Sequence, residues 1–135
     1  MKILTALALG AICGAIAGAI LLGMDAWLTP PPVGSTVFLG REGEIGIAIY
    51  GGIIWGPFPG AAIGLLVGLT NSGKLSGAII GLIIGVIFAI YMFSTSTIDD
   101  TDFRRLAILS VPVATLVGVV VATLMSMLWS PVKHE

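Results

Sequence analysis

The chain has 135 residues, of which 57% are hydrophobic and only 10% charged, with a net charge of -1 and a mean hydropathy of +1.12. Soluble domains carry roughly 25% charged residues, so an ordinary soluble fold is excluded. Six scattered basic side chains, with no basic run among them, offer nothing to neutralise a phosphate backbone and exclude a nucleic-acid partner.

At about 20 apolar residues per crossing, this length predicts one integral membrane domain, residues 1–135, built as an all-α bundle of four transmembrane helices. The first helix is predicted over about residues 3–27. It carries Ala6, Gly10, Gly14 and Gly18 at a four-residue spacing, and a second small-residue stripe of Ala11, Ala15, Ala19 and Gly23. Residues 1–19 also have the makings of a secretory signal, with Lys2 before an apolar core and Ala15 and Ala17 as a cleavage motif. The four-residue spacing argues for a retained membrane helix instead, since a discarded peptide needs no packing face. Cys13, the single cysteine, is preceded by Ile12 where a lipobox wants a small residue, so it is read as a small packed hydrophobe.

Thr29, Pro30, Pro31 and Pro32 end this helix and favour an extended segment. Residues 34–43 follow as the longest polar connection, with Val37, Phe38 and Leu39 as an apolar island expected to fold back on the bundle.

The second helix is predicted over about residues 45–69. Gly52, Gly56, Gly60, Gly64 and Gly68 recur at intervals of four, straight through Pro57 and Pro59. Each interior proline removes a donor and clashes with the carbonyl four residues earlier. One helix kinked at Pro57 and Pro59 is therefore expected, and Ala48 to Gly68, about 31 Å of helix, suffices for a single crossing.

A turn at Thr70, Asn71 and Ser72 makes the next helix, about residues 74–93, an antiparallel neighbour. It carries Gly77, Gly81, Gly85 and Ala89, and ends in Tyr91 and Phe93, which suit a membrane interface. Asp99, Asp100 and Asp102 form an acidic connection, with Arg104 and Arg105 expected as counter-charges. The last helix, about residues 103–129, includes Pro112 and a stripe of Ser110, Ala114, Gly118, Ala122 and Ser126.

Small residues at this spacing let helices approach closely in lipid, where no hydrophobic force drives them together. Gly10, Gly14, Gly18, Gly60, Gly64, Gly68, Gly77, Gly81, Gly85, Ala114, Gly118 and Ala122 are thus the expected helix-packing positions of a glycine zipper. A strict four-residue beat outruns the helical turn by about 40° per step, so from Gly52 to Gly68 the stripe winds about 160°. More than one partner helix is therefore expected. Gly60 to Gly68 should face the third helix, leaving Gly52 and Gly56 for another element. Gly52, Trp55, Gly56 and Phe58 are the candidates for lining a groove that takes a lipid tail, quinone or other apolar pigment.

No catalytic or metal-binding pattern is visible. His134 lies outside every predicted helix, so any pigment or haem would be held without histidine ligation, and no cofactor is specifically predicted. Asp25, beside Trp27, reads as an interfacial residue. The carboxylates at Asp99, Asp100 and Asp102 lack EF-hand spacing, and residues 34–46 contain no phosphate-binding loop, so neither metal nor nucleotide is expected. The two halves faintly repeat one another, as in some transporters.

These features predict a non-catalytic accessory or scaffold subunit of a larger membrane complex, such as a bioenergetic one, in contact with partner helices, lipid or an apolar cofactor. A small homo-oligomeric transporter or channel is the alternative. Lys2, Lys74 and Lys133 fall on one side of a four-span topology and Arg41, Arg104 and Arg105 on the other, so the basic-residue count ties. A bacterial cytoplasmic membrane with both termini inside is the expected location.

Overall fold

The computed structural model describes residues 1–28, 40–70, 73–95 and 101–129, without the side chains of Arg41, Thr101, Asp102 and Phe103. Among these residues the chain is helical with no strand: α1 (Lys2–Leu28), α2 (Gly40–Trp55), α3 (Pro57–Thr70), α4 (Lys74–Thr95) and α5 (Thr101–Leu128). Four stretches are long and apolar enough to cross a membrane: Lys2–Leu28, Glu42–Thr70, Lys74–Thr95 and Arg104–Leu128. This is in keeping with an integral membrane protein. The proline-rich segment, the Val37–Leu39 island, Asn71 and Ser72, Asp99, Asp100 and His134 all lie outside the described residues.

The second span starts earlier than the sequence predicts. Gly40 adopts φ +72°, a backbone conformation that glycine takes without a Cβ penalty, and α2 begins there. Arg41, Glu42 and Glu44, read from sequence as part of the connection or the edge of the span, are helical. Glu42 in the first turn suits the positive end of the helix dipole.

Within the same span, helical assignment lapses at Gly56, although Gly56 N donates to Gly52 O at 2.8 Å and Gly60 N to Gly56 O at 3.2 Å. Pro57 and Pro59 have no amide hydrogen, so the carbonyls of Ile53 and Trp55 have no amide four residues on to accept from.

α1 packs along α2 and α3, and α4 packs along α5. The two hairpins then meet through α1 with α5 and through α3 with α4 and α5. Among the described residues α2 touches α1 and α3, and neither α4 nor α5.

The glycines lie where backbones meet. A Cβ added at Gly10 would collide with the Gly60 carbonyl oxygen and come within 2.8 Å of Gly64 Cα, and one at Gly14 would sit 2.9 Å from Gly60 Cα. At Gly18 it would lie 2.6 Å from Gly52 O, and at Gly68 2.8 Å from Ala6 Cβ. In the other hairpin, a Cβ at Gly77 would meet Ala122 Cβ and Gly118 O at 2.5 Å, at Gly81 Thr115 Cα at 2.9 Å, and at Gly85 Ala114 Cβ at 2.9 Å.

This corrects the expected partners of the second span. Gly60, Gly64 and Gly68 face Gly10, Gly14, Ala6 and Ile3 of α1, not α4, and Gly52 and Gly56 also face α1, at Gly18 and Gly14. A stripe that winds around its helix needs more than one partner only if the partner's contact line is straight. α1 carries the same four-residue beat, so its stripe winds at the same rate, and two such stripes can track one another when the helices wrap. The short α3–α4 turn makes those helices neighbours, but it does not choose which face of α3 meets which helix.

The core sits at the end bearing the N-terminus and the α3–α4 turn. Ala6, Ile63, Val67, Val117, Val121, Ala122 and Met125 are buried together, with Leu9, Cys13, Ile80 and Ile84 packed against them. The opposite end is looser, because α2 leaves α4 and α5 untouched there.

Candidate functional site

An apolar cavity of about 550 Å³ occupies that looser end, between the two hairpins. Gly52, Trp55, Gly56 and Phe58, the four groove candidates from sequence, all line it. Trp55 and Phe58 flank the Gly56 interruption with their ring centroids 5.9 Å apart and their planes tilted by 44°. Both rings remain largely exposed, at 63% and 67%. The opposite wall comes from α4 and α5, chiefly Phe88, Met92, Leu106, Ser110 and Ala114.

These wall residues carry almost no polarity. Ser110 is buried, and its hydroxyl donates to Ala107 O at 2.6 Å, so it is already satisfied within its own helix. The hydroxyl of Thr95 likewise donates to the carbonyls of Tyr91 and Met92, at 3.0 and 3.2 Å. Such a wall can hold an apolar molecule by shape and dispersion, and it offers little to an ion.

A second concavity of about 690 Å³ runs along the outer side of the α1–α5 contact. Ala17, Leu21, Val113 and Val117 line both spaces and so form the wall between them. At one end of this groove Arg105 donates from Nε and Nη2 to Asp25 Oδ1, at 3.0 and 2.5 Å. The Asp25 side chain is 15% exposed and that of Arg105 47%. This pair joins the two hairpins. Asp99, Asp100 and the Asp102 side chain, to which the sequence assigns Arg105 as a counter-charge, lie outside the described residues.

The remaining sequence-selected positions lie in the helix contacts described above rather than in either space, apart from those the cavity shares. Gly14, Gly18, Gly60, Gly85 and Ala114 belong to both. Gly10, Gly64, Gly68, Gly77, Gly81, Gly118 and Ala122 serve the tight end alone. Among the described residues no three His, Cys, Asp or Glu side chains come together as a metal site.

Sequence reasoning missed Phe88, Met92 and Ser110, and it missed the Asp25–Arg105 pair. Phe88 and Met92 stand one helical turn apart, a spacing that could have marked one face of α4. Nothing local links Asp25 to a residue eighty positions away. No protein-family model matches the chain, and neither a curated protein nor a solved structure matches it.

Proposed function

We propose that this chain is a non-catalytic subunit of a larger membrane assembly, and that it holds an apolar molecule between its hairpins for that assembly. The observation that carries the reading is the inter-hairpin cavity, lined by α1, α2, α3, α4 and α5 with few polar atoms. A quinone, carotenoid or other flat apolar pigment fits such a wall without histidine ligation. Trp55 and Phe58 are the aromatic surface against which it would stack.

In this reading the small residues act as two glycine zippers, one within each hairpin. Contacts of Gly10, Gly14 and Gly18 with Gly52, Gly56 and Gly60 support the first, and those of Gly77 and Gly81 with Gly118 and Ala114 support the second. Pro57 and Pro59 bend the second span at Gly56, which lets α2 part from α4 and α5 and open the cavity. Because the zipper faces are used inside the chain, partner subunits would meet the exposed outer faces instead, such as Ile79, Ile83 and Ile87 of α4.

A homo-oligomeric channel is less well supported. It would need polar groups along its lining, and the hydroxyls of Ser110 and Thr95 are turned to backbone carbonyls. We further propose that the chain resides in a bacterial cytoplasmic membrane with both termini inside. A terminal tag reached by protease only from the outer face would reverse that orientation.

Purification from native membranes in mild detergent, with crosslinking beforehand and solvent extraction afterwards, tests the function. The expected result is a set of crosslinked partner subunits and one apolar molecule per chain. A lone monomer yielding no extractable molecule would overturn the reading.

A further inference from the structure

We propose that the molecule held between the hairpins carries a hydroxyl group, and that this hydroxyl donates to the main-chain carbonyl of Trp55. Given the cavity as the binding site proposed above, the class of occupant narrows to phenols, quinols and other hydroxylated apolar rings. Quinones and plain hydrocarbons fit it less well.

The demand originates at Pro59. Proline has no amide hydrogen, so the Trp55 carbonyl four residues earlier loses the partner that an unbroken helix would give it. Residues four apart share one face of a helix, and Trp55 and Pro59 both line the cavity. The freed carbonyl therefore opens toward that space. Ile53 loses its partner to Pro57 in the same way, but neither of those two residues is among the lining.

Depth makes the loss matter. The span covers Glu42–Thr70, and Trp55 stands about 20 Å of chain from one end and about 22 Å from the other at 1.5 Å per residue. At mid-depth the bilayer supplies no water to an unpaired carbonyl, and in membrane helices broken by proline a neighbouring hydroxyl commonly repairs the defect. Here the hydroxyls of the facing wall are committed elsewhere, that of Ser110 to Ala107 O and that of Thr95 to the carbonyls of Tyr91 and Met92. The amides of Gly56 and Gly60 are committed too, donating to Gly52 O and Gly56 O. No described side chain donates to the Trp55 carbonyl.

The same residue also presents a donor. Its indole N–H has no partner among the described residues. Tryptophan favours the two interfaces of a bilayer, where such a group finds acceptors; at mid-span, on a ring 63% exposed, it finds one only if a bound molecule brings it. A hydroxyl both donates and accepts, and so matches what Trp55 offers from its main chain and its ring. A quinone oxygen can accept from the indole but cannot donate to the carbonyl, and a hydrocarbon can do neither.

Equilibrium binding to the whole protein in lipid nanodiscs, kept free of oxygen, compares three probes built on one decyl-tailed ring: the quinol, the quinone, and the dimethyl ether of the quinol, which accepts but cannot donate. The quinol should bind about three- to ten-fold more tightly than either of the others, the worth of one neutral hydrogen bond. Pro59→Ala returns an amide hydrogen to the Trp55 carbonyl and should bring the quinol down to the affinity of the quinone. Isotope-edited infrared spectroscopy gives a readout independent of that variant. It uses protein grown with tryptophan carrying heavy carbon at its carbonyl, with Trp27→Phe and Trp129→Phe, two positions outside the cavity lining. The Trp55 carbonyl band should move to lower frequency with quinol and stay in place with quinone. Equal binding of quinol and quinone, a quinol preference that survives Pro59→Ala, or a Trp55 band that quinol leaves unmoved would each overturn the proposal. Binding of none of the three probes would overturn the reading of the cavity itself.

Discussion

Gly64→Ala adds a single methyl group at the α1–α3 contact, and its expected effect can be worked from geometry. The new Cβ would sit 2.9 Å from the Ala6 carbonyl carbon and 3.1 Å from Gly10 Cα, and closer still to the Ala6 carbonyl oxygen. All three are backbone atoms, so no side chain can rotate aside. Restoring even the 2.9 Å contact to an ordinary 3.4 Å requires the helices to part by about 0.5 Å, which loosens dispersion contacts along both of them. Overpacking of this kind costs about 1–3 kcal/mol. The better helix propensity of alanine offsets about 0.5–1 kcal/mol of it, leaving a net loss centred on about 1 kcal/mol and reaching at most about 2.5 kcal/mol.

Gly46→Ala is the matched control. Gly46 is also helical, but an added Cβ there meets nothing within 4 Å. Only the propensity term remains, and it should stabilise by about 0.5–1 kcal/mol. Equilibrium unfolding in mixed micelles, followed by tryptophan fluorescence, compares the two directly. The variants should move in opposite directions; shifts of the same sign and size would refute the claim that close backbone approach at Gly64 holds α1 against α3.

Other outcomes follow from the same contacts. Removing the inter-hairpin ion pair by Asp25→Asn or Arg105→Gln should cost about 1 kcal/mol, and the double variant less than the sum of the two, because both changes delete the shared interaction. A double-mutant cycle in the same unfolding assay measures this coupling, and full additivity would mean that the pair contributes nothing. Met92→Trp, which fills the inter-hairpin cavity from α4, should lower the yield of the co-purified apolar molecule several-fold with little change in helix content by circular dichroism. An unchanged yield would separate that molecule from the cavity.

Fold class was legible because its signals are local. Apolar runs of membrane-spanning length, polar connections and the position of the prolines delimited the helices to within a few residues of α1, α4 and α5. The start of α2 was missed because Arg41, Glu42 and Glu44 are polar, and a polar first turn of a helix reads like a loop when only hydropathy is followed. Choice of partner was less legible. Every apolar stretch carries the same small-residue beat, so the pattern marks faces that can approach closely but cannot say which faces meet.

The candidate site divides in the same way. Trp55 and Phe58 stand out in sequence because they bracket Gly56 and Pro57, and they line the cavity. Phe88, Met92 and Ser110 join them only through the packing of one hairpin on the other. Asp25 and Arg105 each resemble an ordinary interfacial charge until the antiparallel run of α1 and α5 brings the end of one beside the start of the other.

The pairing of the second span with α1, rather than with α4, is the claim on which both the cavity and the groove depend. Disulfide trapping tests it most directly, in a Cys13→Ser background that removes the one native thiol. An added Cβ at Gly68 lies 2.8 Å from Ala6 Cβ, near enough for a bridge after a small adjustment toward the usual separation of about 3.8 Å. Ala6→Cys with Gly68→Cys should therefore oxidise readily in membranes, and Gly68→Cys with Gly77→Cys should not. Efficient crosslinking of the second pair with none of the first would contradict the arrangement of the two hairpins.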